Sequence, residues 1–274
     1  MSVTRADLHK GPFRNDGRVI VSYPKSGRTW IAYALSGAGL DVTTTHAGSS
    51  TNRREVGRTF AGIQPALRDV PLVFLHRNPI DTAVSMFHQI HRRDFRRGSL
   101  RWWRMLMPLA LRGAVPPRTI DSFVLHPLYG VEKVCAFNRT WLNEVSSRPD
   151  CISISYEQLR ADPSTEFQQL IDFFGVKHIT GADLADAADF AKMRTSELSL
   201  PENAKLRIHK SDPQSMKVRR GKVNGYFDEL RADTIEKCEA IIARYAFADV
   251  SASGEGRFRS DRSMTTAYSA SPPV

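Results

Sequence analysis

A lysine, a glycine and two hydroxyls fall within the short string Tyr23-Pro24-Lys25-Ser26-Gly27-Arg28-Thr29-Trp30. A turn of this composition at the start of a helix can aim backbone N–H groups, the helix dipole and one lysine at a single phosphate. Gly27 lets the backbone approach closely, Ser26 and Thr29 add hydroxyl donors, and Trp30 offers an indole face on which a base could stack. An ordinary strand-to-helix turn with a surface lysine would account for any one of these residues, though not for the whole string. A second grouping comprises Arg77-Asn78-Pro79, Asp81 and Ser85. Arg77 at a strand end and the Ser85 hydroxyl two helical turns on could grip a second phosphate together. Between the two groupings stands His46. An alcohol is a poor nucleophile at neutral pH, and an imidazole near its ordinary pKa suits removal of its proton in the transition state. His88 and His91 are its rivals for that task.

The elements that must position these groups are readable as short apolar runs alternating with helical patterns. Residues 18–23, 72–76 and 151–155 read as buried strands, and Val42-Thr43-Thr44-Thr45 as a short strand feeding His46. Trp30, Ile31, Ala34 and Leu35 mark the inner face of a helix after the first strand. Phe167, Leu170, Ile171 and Phe174 mark another after the strand at 151–155. Asn78 as N-cap, Pro79 at the first helical position and Asp81 at the third set the start of a helix that reaches at least His88. Residues 233–245 read as a late helix with Ile235, Cys238, Ile241, Ile242 and Tyr245 inward. This alternation predicts an α/β fold: a single domain over 18–250 with a central parallel sheet flanked by helices and a P-loop-like nucleotide site. Residues 1–17 and 251–274 lack an apolar period and are expected to be a flexible N-terminus and a disordered tail.

The 274 residues are 41% hydrophobic, enough for one sizeable core, and the formal charge of +10 draws anions to the surface. No apolar run is long enough to span a membrane and no signal peptide is readable, so the cytoplasm is the expected compartment. Three scattered cysteines, Cys135, Cys151 and Cys238, suggest buried thiols rather than a disulfide framework or zinc cluster.

The string YPKSGRTW resembles the YPKSGTTW loop with which sulfotransferases dependent on 3′-phosphoadenosine 5′-phosphosulfate (PAPS) hold the 5′-phosphosulfate. LHRNPIDTAVSMFH is similar to that family's RNPxDxxVS segment, which implies that Arg77 and Ser85 bind the 3′-phosphate. ISYEQLRADP resembles YEDLxxDP, implying that Tyr156 seats the adenine. VRRGKVNGYF resembles RKGxxGxW, implying that Arg219, Arg220 and Gly221 close over the 3′-phosphate. The four motifs keep the family's order across residues 19–230. The resemblance implies PAPS as co-substrate, no metal, Lys25 neutralising charge on the leaving phosphate, and His46 where relatives carry their catalytic histidine. Departures are Arg28 for the loop's first Thr, Thr44 for a frequent Lys, Ala188 or Asp189 for an adenine-holding hydroxyl residue, Tyr226-Phe227 for the Trp ending, and THAGSS after the strand for the usual HLP.

Two other readings compete with this one. A P-loop kinase or NTPase would use the same helix-terminus physics, but no GxxxxGK[ST] string occurs, and the second strand ends in His76-Arg77 rather than a Mg²⁺-binding Asp. A nucleic-acid-binding module is suggested by charge and by residues 92–112, which hold Arg92, Arg93, Arg96, Arg97, Arg101, Arg104 and Arg112 with Trp102 and Trp103. That stretch matches no nucleic-acid motif, so a nucleic-acid partner is disfavoured. A solvated helix face, a peripheral membrane contact and a flap beside the acceptor remain open for it. The acceptor is expected to carry a hydroxyl, on a small molecule, sugar or lipid.

Overall fold

The first strand, β1 (Val19–Ser22), is buried along its whole length, and its side chains feed two different cores. Ile20 points to one face of the sheet, Val19 and Val21 to the other, as the two-residue period of a strand requires. The computed structural model of the chain describes residues 18–47, 58–94, 107, 109–111, 113–189 and 221–245, with the side chains of 92–94 left aside. Residues 1–17 and 251–274 therefore lie outside the described residues.

Strands β1, β2 (Thr43–Thr45), β3 (Leu72–His76) and β4 (Cys151–Ser155) form one parallel sheet in the order β2-β1-β3-β4. This is the predicted α/β architecture. On one face Ile20, Val73, Leu75 and Ile154 pack against α1 (Arg28–Gly37), α5 (Tyr156–Ala161), α6 (Pro163–Phe173) and α7 (Gly181–Ala187). On the other, Val19, Val21, Leu72, Phe74 and Cys151 meet Val134, Phe137, Trp141 and Val145 of α4 (Val131–Ser146). A third core joins α2 (Pro79–His88) to α4 and to α8 (Ala232–Tyr245). A short α3 (Ile120–Val124) packs beside α2, which continues past His88 as π-helix over Gln89–Asp94. Burying each large apolar side chain contributes about 1.5–3 kcal/mol, so the four buried apolar residues of β3, Leu72 to Leu75, anchor the sheet's centre.

The expected helix faces are found. Trp30, Ile31, Ala34 and Leu35 are buried in α1, and Phe167, Leu170 and Ile171 in α6, while Phe174 caps α6 and is only half-buried. All three cysteines are buried thiols. Between β4 and α6 the chain inserts α5, a helix that the apolar pattern alone does not announce. Ser155 Oγ caps it by accepting from Gln158 N, and Asp162, in an extended-like conformation, ends it and caps α6 by accepting from Thr165 N. Among the described residues no helix is long and apolar enough to cross a membrane.

Candidate functional site

In the order β2-β1-β3-β4 the chain leaves β1 towards β2 on one side and builds β3 and β4 on the other. Such a switch point opens a crevice at the carboxyl ends of the two central strands. Both phosphate groupings lie there, one after β1 and one after β3. The pairing of Ser22 with Leu75 and of Val21 with Thr45 brings the three strand ends to one level.

The turn after β1 is tight. Ser26 N donates to Tyr23 O at 3.3 Å, and both Lys25 (φ 75°) and Gly27 (φ 98°) adopt left-handed backbone. Gly27 forms the N-cap of α1 without a side-chain cap on the first helical N–H groups. The residue type is dictated twice: a Cβ at Gly27 would lie 2.8 Å from Tyr156 Cε2 and closer still to Cδ2. Ser26 is fully buried, so the hydroxyl of this turn nearer the surface is that of Thr29. Arg28 opens α1, and burial pushes its guanidinium down to about 10. Trp30 is 5% exposed; its Nε1–H donates to Ala188 O at 2.6 Å, the Arg160 guanidinium lies 5.3 Å from its ring, and Tyr156 meets it edge-on at 5.9 Å. The indole is thus taken up by the wall of the site.

Arg77 joins the crevice's parts. Its Nη1 donates to Lys25 O at 3.3 Å, its Nη2 donates to Lys222 O at 3.1 Å and stands 3.5 Å from Asp81 Oδ2, and its guanidinium lies 4.5 Å over the Tyr156 ring. One side chain therefore touches the loops after β1, β3 and β4 and the turn near residue 222. Its strand end is fixed by Asn138 Nδ2, which donates to Arg77 O, and by Glu157 Oε1, which accepts from Asn78 N. The predicted cap is present: Asn78 Oδ1 accepts from Ile80 N at 2.8 Å and from Asp81 N at 3.2 Å. Ser85 sits two turns along α2, partly exposed.

Gly221 (φ 60°) and Asn224 (φ 58°) shape the turn that leads into a 3₁₀ segment, Gly225–Asp228. Arg219 and Arg220 lie outside the described residues, as does most of 92–112. The residue that sequence reasoning treated only as part of a helix start, Asp81, holds this turn. Its carboxylate accepts from Asn224 N at 2.9 Å and Tyr226 N at 3.1 Å. Burial pushes the Asp81 carboxyl above its ordinary value, a shift opposed by Arg77 and by the two N–H groups.

His46 follows β2 directly, and its Nδ1 lies 3.0 Å from Ser22 O. A carbonyl only accepts, so the proton is on Nδ1, and in the neutral ring the lone pair is on Nε2, the tautomer a base needs. His88 and His91 are likewise held by partners. His88 Nε2 is 2.6 Å from Glu229 Oε2, and His91 Nε2 donates to Pro117 O at 2.8 Å, with burial lowering the His91 pKa. His88 also stands nine residues beyond Pro79, about 13 Å along α2 from the crevice.

The family profile described as Sulfotransferase domain matches residues 62–251. Among solved structures, mouse sulfotransferase SULT7A1 complexed with PAP shares 19% identity and a TM-score of 0.55, covering 90% of each chain. Retinol dehydratase in complex with androsterone and inactive cofactor PAP shares 15% identity at a TM-score of 0.51, over 88% of this chain and 83% of that one. The same enzyme with retinol and PAP shares 16% at a TM-score of 0.51, over 88% and 84%. At such identities these likenesses show the fold. No curated protein sequence matches the chain.

Proposed function

Because the chain belongs to the sulfotransferase family, a membership shown by a profile match over residues 62–251, we propose that it transfers a sulfuryl group from PAPS to an acceptor hydroxyl by in-line displacement, with His46 as base. The observation that carries the reading is Arg77, which bridges the Lys25 turn and the turn at Lys222 across the switch point. The two phosphate grips would then act on opposite ends of a single molecule. Lys25, Thr29 and the open N-terminus of α1 would hold the 5′ end, with Ser26, Gly27, Arg28 and Trp30 shaping that turn. Arg77, Ser85, Gly221 and, from the sequence motif, Arg219 and Arg220 would hold the 3′-phosphate, and Tyr156 would wall the base.

PAPS supplies the activated sulfur–oxygen bond. As the acceptor oxygen bonds to sulfur, the bond from sulfur to the 5′-phosphate oxygen breaks and 3′-phosphoadenosine 5′-phosphate (PAP) leaves. The acceptor's proton goes to His46 Nε2, whose orientation the Ser22 carbonyl fixes. Lys25 and the α1 dipole meet the charge developing on the leaving phosphate. Placement and charge stabilisation then do most of the catalysis, as in a loose in-line transfer. The acceptor class remains a hydroxyl on a small molecule, sugar or lipid. Met107 and Leu111, 61% and 83% exposed, support contact of the 92–112 stretch with an apolar acceptor or a membrane surface.

Incubation with sulfur-labelled PAPS and a cell extract, followed by identification of the labelled product, tests the reaction. Absence of any labelled product, with PAP bound no better than AMP in calorimetry, would overturn it.

A further inference from the structure

Asp81, Ser85 and His88 recur at i, i+4 and i+7 of α2 and so project from one face of that helix. We infer that this face is the seat of the C-terminal turn, and that Asp81 and the His88–Glu229 pair are positioning residues that hold residues 221–229 over the 3′-phosphate end of the nucleotide. The inference rests on the donor reading above.

The turn is tied at both ends of the helix. At the first turn of α2, the Asp81 carboxylate, 3% exposed, accepts from Asn224 N and Tyr226 N. At the last turn, His88 and Glu229 meet at 2.6 Å, with side chains 10% and 12% exposed. Residues 224–229 therefore run along the helix, and Ser85 lies between the two ties. Asn224 occupies left-handed backbone at φ 58°, a conformation that Asn adopts more readily than most residues but still at some cost. Hydrogen bonds to a buried carboxylate offset that cost. The same carboxylate stands 3.5 Å from Arg77 Nη2, whose neighbouring bond runs to Lys222 O. Asp81 thus sets the distance between Arg77, on one side of the proposed 3′-phosphate, and Gly221, on the other. It acts through those groups.

Calorimetry on the full chain with PAP and with AMP, which lacks the 3′-phosphate, separates this role from a general structural one. Asp81→Asn keeps the size but sets an amide donor against one of the two N–H groups. It should weaken PAP about 10-fold or more while changing AMP by less than about 3-fold. Glu229→Gln, two turns away, should weaken PAP about 3-fold in the same selective way. In turnover assays the KM for PAPS should rise, with kcat at saturation nearly unchanged. If Asp81→Asn fails to fold by circular dichroism, Glu229→Gln carries the test. Wild-type PAP affinity in the folded variants, or equal losses for PAP and AMP, overturns the inference alone. A wild-type chain that does not prefer PAP over AMP overturns the donor reading and this inference with it.

Discussion

Gly27→Ala puts two of the site's constraints under load at once. The left-handed backbone at φ 98° costs an alanine about 1–2 kcal/mol. The new methyl would also stand 2.8 Å from Tyr156 Cε2 and closer to Cδ2, forcing the ring aside. Tyr156 is 4% exposed and wedged between Trp30 and the Arg77 guanidinium, so its displacement should cost a further ~1–3 kcal/mol, as overpacking does. The total of about 2–5 kcal/mol corresponds to a loss of about 5–15 °C in Tm for a domain of this size. Moving Tyr156 also moves Arg77, so PAP binding should weaken more than AMP binding. Thermal melts followed by near-ultraviolet circular dichroism, with calorimetry on the folded variant, read both effects. The decisive measurement is a double-mutant cycle with Tyr156→Ala. Removing the ring relieves the clash, so the pair should cost at least about 1 kcal/mol less than the sum of the two single changes. Strict additivity, or a Gly27→Ala chain that melts within about 2 °C of wild type, would refute the packing argument.

His46→Ala should lower kcat about 10²–10⁴-fold and leave PAP affinity within about 3-fold; near-normal turnover, with the loss appearing on replacing His91 instead, would reassign the base. Arg28→Met removes a charge held partly out of water, so it should raise the Tm of the nucleotide-free chain and weaken PAP about 5-fold, and the opposite signs would remove Arg28 from the donor site. Arg148 donates to Leu67 O, Val70 O and both oxygens of Asp150, and Arg148→Ala should cost about 2–3 kcal/mol in urea unfolding. The Arg148 hydrogen bond holds the Asp150 carboxyl below its ordinary value, so the stability that Asp150 adds is present above that ordinary value and lost as pH falls through the depressed one. Asp150→Asn should therefore differ from wild type near neutral pH and converge with it in acid, and a difference that persists unchanged in acid would refute this.

Features that depend on a few adjacent residues were legible in the sequence. Asn78-Pro79 with Asp81 announced a helix start because capping chemistry is local, and the apolar runs Val19–Val21 in β1 and Leu72–Leu75 in β3 announced strands buried on both faces. The path of β2 into His46 could also be read, but the bond from His46 Nδ1 to Ser22 O depends on strand register, which only the assembled sheet fixes. The double role of Asp81 was hidden for a similar reason. Its helix position is local, while its acceptor role involves backbone groups 143 and 145 residues away. Trp30 shows the limit of residue type as a guide. An indole after a phosphate loop suits stacking on a base, yet here a single carbonyl, Ala188 O, and the neighbouring Tyr156 and Phe167 decide where it lies. The short α5 escaped because six residues between two caps carry too little apolar period to register.

The bond between Asp81 and the far end of the chain also bears on the order in which the protein comes into being. A chain synthesised from its amino end has all four strands outside the ribosome once Ser155 has emerged, and the sheet can close on local and mid-range contacts. Asp81 must wait for Asn224 and Tyr226, so until those residues are made its carboxylate has neither of those backbone donors. A chain halted before residue 224 would lack the donors that cover this side of α2. The proposed nucleotide grip, which relies on the turn that Asp81 holds, therefore depends on residues made well after the sheet.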